Sequence, residues 1–145
     1  MKISTKGRYA LRFMIDLAEQ GGSSAVTLKE VSARQNISTK YLEQIVTLLN
    51  RAGLIRSVRG NQGGYLLTRA PQQYTAREIL ETVEGNLCPV ACMEQSPNVC
   101  EHYPECKTIH FWEGLNRVMN EYMDSFTLED LVNELSPRDG GDYCI

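Results

Sequence analysis

The sequence has little that suits a membrane or a secretory pathway. No stretch of the 145 residues is apolar for long enough to cross a bilayer. The start of the chain lacks the apolar core of a secretory signal, because four basic side chains interrupt it: Lys2, Lys6, Arg8 and Arg12. We therefore expect a cytoplasmic protein without membrane contact, and one domain with an added element for a chain of this length.

The cysteines lack the spacings of common zinc and redox motifs. The chain has five cysteines, and four of them lie close together: Cys88, Cys92, Cys100 and Cys106. Their spacing contains neither the two Cys-x2–4-Cys knuckles of a zinc ribbon nor the Cys-x-x-Cys of a thioredoxin-like enzyme, and no neighbouring acid–base pair indicates catalysis. Because cytoplasmic thiols are kept reduced, we interpret this cluster as metal ligands or redox sensors in a protein that is not an enzyme.

Charge is divided unevenly along the chain. Residues 1–70 carry 11 Lys and Arg against 4 Asp and Glu, whereas residues 71–145 carry 4 against 14, although the net charge is only −3. A basic half suits a polyanion, and an acidic half suits dimerisation, sensing or solubility. A merely solvated basic face would give the same counts, so charge alone leaves both interpretations open.

Three helices are predicted in the basic half. The first begins at a cap on Ser4 or Thr5 and ends before two glycines, and the second follows a capping box of Thr27 and Glu30. Ser38 caps the third, whose apolar face consists of Leu42, Ile45, Val46 and Leu49. A short helix, a tight turn and a longer helix are typical of a helix-turn-helix.

A β-hairpin is predicted directly after the third helix. The stretches LIRSV and YLLT are β-rich, and the glycine-rich RGNQGG between them permits a tight exposed turn. The sequence therefore predicts a mainly α fold with a small β-hairpin, in which a winged helix-turn-helix DNA-binding domain precedes a long C-terminal dimerisation helix.

This order of elements predicts a surface that reads double-stranded DNA. We expect the front of the third helix to face a major groove with six side chains: Ser38, Thr39, Lys40, Tyr41, Glu43 and Gln44. The wing would add Arg59, Asn61 and Gln62, with Arg59 on the backbone or in the minor groove. Gln44 suits an adenine edge, whereas Glu43 either accepts from a cytosine amine or is an ordinary solvated glutamate.

The acidic half is predicted to hold a short helix, begun by a capping box of Thr75 and Glu78, and a long amphipathic one. Along the long helix, from about Lys107 to Phe126, runs an apolar stripe: Phe111, Leu115, Val118, Met119, Tyr122 and Met123. A further short helix is stopped by Pro137. We expect the stripe to pack against a second copy in a homodimer, with packing on its own domain as the alternative.

These elements divide the chain into four parts. They are a DNA-binding domain (1–86), a cysteine-rich cluster-binding loop (87–106), a dimerisation helix with a short return helix (107–136) and a flexible tail (137–145) that contains Cys144. Soft thiolates in a polar loop favour an iron–sulfur cluster, with zinc and buried structural cysteines as alternatives. A zinc-stabilised interaction module or a thiol redox enzyme, whose basic half binds an acidic protein, is the remaining different class.

Four features carry a wider resemblance: MKISTKGRYALRFMIDLA at the start, KYLEQI in the third helix, GLIRSVRGNQGGYLL through the wing, and three cysteines ahead of a tryptophan-bearing helix. Together they resemble the IscR/NsrR/CymR family of transcriptional regulators, over the chain to about residue 135. The resemblance implies a homodimeric regulator that binds a roughly palindromic operator. It also implies an iron–sulfur cluster in the cysteine loop of IscR-like and NsrR-like members.

The resemblance assigns the cluster ligands Cys92, Cys100 and Cys106, and it leaves Cys88 outside the pattern. The histidine of the IscR branch would fall at Ile109, and His110 follows one residue later. On a helix beginning near Cys106 both positions would share its face, so we take His110 as the fourth ligand. Its rivals are His102, Glu101, Glu105 and Cys88. Because Arg8 stands where some NsrR-like members donate an acidic ligand, we prefer [2Fe-2S] to [4Fe-4S].

The first interpretation is IscR-like control of iron–sulfur cluster assembly genes, in which the cluster state changes the loop and the start of the dimer helix. NsrR-like sensing of nitric oxide or redox state is the second. CymR-like control of cysteine metabolism through a partner enzyme, without a cluster, is the third, and the dense cysteines disfavour it.

Overall fold

Six α-helices and one antiparallel strand pair form the fold, which a computed structural model describes for the backbone of residues 1–135 and the side chains of residues 1–134. The helices are α1 (Thr5–Gln20), α2 (Leu28–Gln35), α3 (Thr39–Arg51), α4 (Ala76–Glu84), α5 (Ile109–Asp124) and α6 (Leu128–Leu135). The strands are β1 (Ile55–Val58) and β2 (Gly64–Leu67), and single 3-10 turns lie at Pro71–Gln73, Ala91–Met93 and Tyr103–Glu105. The predicted stop at Pro137, the tail and Cys144 lie outside the described residues.

Capping side chains set where the first three helices begin, as predicted. Ser4 caps α1 by accepting a 3.1 Å hydrogen bond from the backbone amide two residues later. Thr27 and Glu30 form both halves of a capping box at α2, and Ser38 accepts from an amide of the first turn of α3 at 3.2 Å. Each such cap contributes about 1 kcal/mol to helix stability. Asn36 ends α2 in the left-handed conformation, with φ 53°, and turns the chain toward α3.

The apolar faces of α1, α3 and α4 meet in one core. The α3 residues predicted to form its apolar face are all buried: Leu42, Ile45, Val46 and Leu49. They pack in the same cluster as Phe13 and Leu17 of α1 and Ile79 of α4. Burying an apolar side chain of this size contributes about 1.5–3 kcal/mol. The core therefore holds the third helix against the first.

The wing is a hairpin that a third segment extends. Strands β1 and β2 pair in a register that places Val58 opposite Gly64. The backbones of Val26 and Tyr65 exchange hydrogen bonds of 2.8 and 3.0 Å, which adds the segment before α2 to the hairpin. Gly64 permits this contact, because its φ is 145° and a Cβ there would lie 2.5 Å from the Val26 carbonyl oxygen. The wing is thus tied to the start of α2.

The predicted capping box of α4 is only half formed. The Thr75 hydroxyl accepts from the Glu78 amide at 3.1 Å, but the Glu78 carboxylate accepts from Arg69 at 2.7 Å. The backbone of Thr75 lies opposite Thr127 in an isolated β-bridge. The tertiary partner Arg69 therefore takes the carboxylate that a local box would use.

A short helix, α6, is present where it was predicted, and it returns the chain onto α1. Leu128 at its first position is fully buried, and its amide donates to the Tyr74 carbonyl at 3.0 Å. The Ala76 amide donates to the Phe126 carbonyl at 2.8 Å. These two bonds join the start of α4 to the start of α6.

The long helix α5 leaves part of its apolar stripe in solvent. Its ends lie two residues inside the predicted bounds, with Thr108 and Ser125 flanking it. Three residues of the stripe are between 57% and 66% exposed: Phe111, Val118 and Tyr122. The other three are half-buried: Leu115, Met119 and Met123. Packing on its own domain therefore covers only part of the stripe.

The architecture agrees with the predicted fold class. It is mainly α-helical with a small hairpin, and α1 to α3 with the strand pair make a winged helix-turn-helix, which α5 follows. Among the helices described, none combines the length and the apolar content that crossing a bilayer requires.

The buried hydroxyl of Tyr74 generates a stability prediction. It donates to the Leu54 carbonyl at 2.7 Å and accepts from the Thr68 and Arg69 amides, each at 3.0 Å. Tyr74→Phe leaves these backbone groups without that partner, so we expect the free energy of unfolding, measured in urea by circular dichroism, to fall by about 1–3 kcal/mol.

The matched control is Tyr9→Phe, because the Tyr9 hydroxyl makes no hydrogen bond within the described residues. Its free energy of unfolding should change by less than about 0.5 kcal/mol. Equal stabilities of Tyr74→Phe and the wild type would contradict the role given to the hydroxyl.

Candidate functional site

The first turns of α3 present the polar side chains that the sequence predicts to contact DNA. Four of them are exposed on the face opposite the buried apolar residues: Thr39, Lys40, Glu43 and Gln44. Ser38 is exposed as well; its oxygen accepts the capping bond, and its hydroxyl hydrogen remains able to donate to a phosphate. Tyr41 differs because it is half-buried, and its ring packs edge-on against Tyr9, with centroids 5.5 Å apart.

The tip of the wing carries the second group of predicted contacts. Arg59, Asn61 and Gln62 are all exposed. They line one open groove together with Thr27 and Glu30 at the start of α2. The structure therefore brings the wing tip beside α2, while the α3 side chains form an exposed turn of their own.

The positive charge of residues 1–70 is mostly uncompensated. Arg34 pairs with Asp16, and Arg69 pairs with Glu78, each at 2.7 Å. Within the described residues, no other Lys or Arg of this half forms an ion pair with a carboxylate. Uncompensated cations raise the local potential and attract a polyanion.

A buried carboxylate that the sequence analysis missed holds the helix-turn-helix in place. Asp16 of α1 is 1% exposed and accepts hydrogen bonds of 2.7 and 3.0 Å from the Arg34 guanidinium and of 3.0 Å from the Gln35 side-chain amide. Hydrogen bonding to Asp16 raises the pKa of Arg34, so the guanidinium stays charged. The signal was a single acidic residue inside the apolar run FMIDLA.

A second missed carboxylate, Glu84 at the end of α4, caps the start of α1. It accepts from the Ser4 amide at 2.9 Å, the Ser4 hydroxyl at 2.6 Å and the Gly7 amide at 2.8 Å. A Cβ at residue 7 would lie 2.4 Å from this carboxylate, so the close approach requires glycine. Glu84 thus ties the end of α4, from which the chain continues into the cysteine loop, to the start of α1.

The cysteine loop supplies thiols but does not assemble them. Cys88, Cys92, Cys100 and Cys106 are free and only half-buried, which argues against buried structural cysteines. In the part of the chain that is described, no three His, Cys, Asp or Glu side chains are placed to hold a metal ion together. The donors suit iron–sulfur or zinc chemistry, but the loop as folded does not present them as one ligand set.

The predicted helical relation between Cys106 and His110 is wrong. Helix α5 begins at Ile109, and Cys106 ends a 3-10 turn with extended backbone, φ −72° and ψ 108°. Residues three or four apart share a face only within one helix, so this spacing does not bring the imidazole over the thiol. The His110 side chain is 93% exposed and lies 3.5 Å from Glu113.

Two of the thiols have pKa values shifted in opposite directions. Cys106 Sγ lies 3.4 Å from the Thr108 hydroxyl, and hydrogen bonding by Thr108 lowers the pKa of the Cys106 thiol. Partial burial, with a further contribution from Glu94, raises the pKa of the Cys88 thiol. Thr108 was missed by the sequence analysis, which placed this threonine inside the long helix rather than at its cap.

Comparison with known proteins identifies relatives over nearly the whole chain. Residues 3–134 match the model of the Rrf2 family, described as an iron-dependent transcriptional regulator. The HTH-type transcriptional regulator CymR of Bacillus subtilis is 41% identical over 133 residues, which cover 92% of this chain and 91% of CymR. The HTH-type transcriptional regulator IscR of Cereibacter sphaeroides is 40% identical over 141 residues, with coverages of 94% and 91%.

Solved structures give the same two groups of relatives. The structure of CymR, the global cysteine regulator of B. subtilis, superposes with a TM-score of 0.77 at 39% identity and covers 94% of this chain and 99% of its own. The structure of T. potens IscR has a TM-score of 0.76 at 34% identity, with coverages of 99% and 94%. All these relatives are transcriptional regulators rather than enzymes, in agreement with the expectation for this chain.

The opposite pKa shifts predict different alkylation profiles for the two thiols. Because the thiolate is the nucleophile, Cys106 should reach half-maximal reaction with iodoacetamide at a lower pH than Cys88. Thr108→Val removes the hydroxyl but no side-chain cap of α5, so it should move only the Cys106 profile to higher pH. Peptide mass spectrometry reads both sites in one sample, and an unmoved Cys106 profile would refute the role of Thr108.

Proposed function

The chain belongs to the Rrf2 family of transcriptional regulators, and we propose that it binds double-stranded DNA through its winged helix-turn-helix under the control of its cysteine loop. The family membership agrees with the resemblance drawn from the motifs. The observation that carries the DNA-binding proposal is the exposed start of α3, which projects polar and cationic side chains from the basic half of the chain.

We assign the major groove to α3. Gln44 carries the paired donor and acceptor that an adenine edge requires, and Lys40 reaches a phosphate or a guanine. The hydroxyls of Ser38 and Thr39 stand at the helix N-terminus, where a phosphate is favoured. The Glu43 carboxylate needs a hydrogen-bond donor, such as a cytosine amine. Glu43 would therefore disfavour DNA sites that lack a donor at this position.

The wing tip supplies contacts beside the groove that α3 reads. Arg59 suits phosphate or a narrow minor groove, because its fixed charge responds to the negative potential there. Asn61 and Gln62 can donate to backbone phosphates from the exposed turn. In this assignment α3 reads the bases, and the wing fixes the position of the protein along the DNA duplex.

The apolar stripe of α5 supports a homodimer. Phe111, Val118 and Tyr122 recur at helical spacing and stay exposed, so a second copy of the same helix would remove them from water. A twofold dimer presents two α3 helices to a roughly palindromic operator. We therefore assign DNA binding to residues 1–86, sensing to 87–106 and dimerisation to 107–136, leaving 137–145 as a tail, in a cytoplasmic protein.

For the sensing loop we propose an iron–sulfur cluster, [2Fe-2S] rather than [4Fe-4S], with Cys92, Cys100, Cys106 and His110 as ligands. The free thiols, the iron-dependent description of the family and the IscR relatives support it. Such a cluster supplies redox chemistry when bound. Since no three of the described His, Cys, Asp or Glu side chains are grouped around one metal position, we infer that the loop reorganises between Glu84 and the start of α5 when it binds the cluster. Control of iron–sulfur cluster assembly genes is the first proposed role, and nitric-oxide or redox sensing is the second.

A cluster-free regulator of the CymR kind is the second candidate. The similarity to B. subtilis CymR favours it. In this case the thiols themselves, or a protein partner, would transmit the signal to the same DNA-binding surface.

Duplex binding at several salt concentrations tests the DNA-binding proposal. An operator selected from random duplexes should bind two chains, and the affinity should fall with a log–log salt slope of about −0.9 per neutralised phosphate. Gln44→Ala should lose about 1–3 kcal/mol of discrimination at one base pair, and Arg59→Ala should reduce the slope by about 1.

Lys107→Ala is the control, since this exposed lysine lies in the acidic half of the chain and outside the residues assigned to DNA contact. It should change neither discrimination nor slope. Binding of the wild type without sequence preference or salt dependence would overturn the proposal and favour an acidic protein as the partner.

Protein purified without oxygen tests the cluster. We expect a visible absorption band with bound iron and sulfide, which is lost in Cys92→Ala, Cys100→Ala, Cys106→Ala and His110→Ala and kept in Cys88→Ala. Loss only in the cysteine variants would place the fourth ligand elsewhere. A colourless wild type without iron would reject the cluster and leave the CymR-like candidate, with the DNA-binding assignment unaffected.

A further inference from the structure

We propose that Tyr9 and Arg12 of α1 are positioning residues for DNA recognition. They hold the turn between α2 and α3, through Gln35 and Tyr41, in the orientation that presents α3 to DNA, and they do so without touching DNA themselves. This inference rests on the proposed DNA-binding function and extends it to residues outside the reading surface.

One face of α1 carries all the side chains involved. Tyr9, Arg12 and Asp16 are three and four residues apart, which places them along the same side of the helix. Asp16 at one end is buried against Arg34 and Gln35, while Tyr9 at the other end meets Tyr41. This face therefore contacts the last turn of α2 and the first turn of α3 together.

Arg12 of α1 forms hydrogen bonds with the last residue of α2. Its Nε donates to the Gln35 side-chain oxygen at 3.1 Å, and its Nη2 donates to the Gln35 backbone carbonyl. The Gln35 side-chain amide in turn donates to Asp16 at 3.0 Å. A cation on the last carbonyls of a helix also complements the helix dipole. Gln35 is thus bound on both sides by α1 just before the turn begins.

Tyr9 of α1 packs against the first turn of α3. Its ring meets the Tyr41 ring edge-to-face, with an interplanar angle of 80°, and the Arg12 guanidinium carbon lies 5.4 Å from the Tyr9 ring centroid. The negative face of an aromatic ring attracts the positive edge of another ring and also attracts a cation, so both contacts stabilise this arrangement. The backbone amide of Tyr41 also donates to Ser38, so one residue joins the aromatic contact to the helix cap.

The position of the turn should affect recognition of the base sequence more than electrostatic attraction to phosphates. Hydrogen bonds to base edges fail with small displacements, because donor and acceptor must lie about 2.7–3.2 Å apart. Attraction to phosphates falls off slowly with distance and tolerates the same displacement. Loosening the turn should therefore weaken binding to the selected operator and leave binding to random duplex unchanged.

Two pairs of variants separate this role from direct contact with DNA. Tyr9→Leu should lower the affinity for the operator about three- to tenfold, with the affinity for random duplex and the salt slope unchanged, whereas Tyr9→Phe keeps the ring and should behave as the wild type. Arg12→Gln and Arg12→Lys should both lower the operator affinity, because lysine keeps the charge but lacks the fork that binds Gln35. Wild-type operator affinity in Arg12→Lys together with a salt slope reduced by about one in Arg12→Gln would mean a phosphate contact and would overturn the proposal.

A double-mutant cycle adds a test that does not depend on any single variant. If Tyr9 acts through the ring of Tyr41, Tyr9→Leu should cost nothing further in operator affinity once Tyr41→Leu is present. Additive losses would refute the coupling, and urea unfolding of each variant separates loss of the fold from loss of specificity. A wild type that shows no salt-dependent duplex binding would defeat the proposed function instead, whereas a normal wild type with unaffected variants would defeat only this inference.

Discussion

The ion pair between Asp16 and Arg34 is the constraint on which the arrangement of the helix-turn-helix depends. Asp16 is almost fully buried, so its charge is tolerated only while Arg34 and Gln35 satisfy it. Because the Arg34 side chain is 35% exposed, we expect loss of this pair to cost less than the about 3–5 kcal/mol of a fully buried pair and more than the about 1 kcal/mol of an exposed one. The short helix α2 has Val31 as its only fully buried residue in the described structure, so its hydrogen bonds to Asp16 add to limited apolar packing.

Helix α1 connects the parts of the molecule that the proposed function needs to communicate. One side of it contacts α2 through Asp16 and Arg12 and α3 through Tyr9, and its first residues are capped by Glu84 at the end of α4. A change in the loop therefore has a short covalent and hydrogen-bonded route to the helix that supports the reading surface. The route consists of polar contacts whose geometry is directional.

The basic and acidic halves of the sequence form different parts of the fold. The basic half forms the winged helix-turn-helix, with ion pairs at Arg34 and Arg69 and its remaining cations without carboxylate partners in the described chain. The acidic half forms α4 to α6; of its carboxylates, Glu84 caps α1 and Asp124 pairs with Arg77 of the same half. Repulsion from a polyanion would keep this half away from DNA, which suits an element that pairs two copies and senses a signal.

The features that depend on neighbouring residues could be predicted from the amino-acid sequence. The caps at Ser4, Thr27 and Ser38 and the apolar face of α3 follow from interactions within four to ten residues, and the structure reproduces them. The hairpin follows from its glycine-rich turn, and the exposure of the polar side chains at the start of α3 follows from helical periodicity. Local propensity suffices for these because the partner groups are supplied by the same turn of chain.

Contacts between groups far apart in the chain could not be predicted in this way, because they follow from tertiary packing. Glu78 gives its carboxylate to Arg69 rather than to its own cap, and Glu84 reaches an amide 80 residues earlier in the chain. Cys106 lies before α5 in extended backbone, so spacing along the sequence misjudged its relation to His110. The physical reason is the same in each case: a side chain bonds the best partner that packing brings near, and the sequence pattern does not contain that partner.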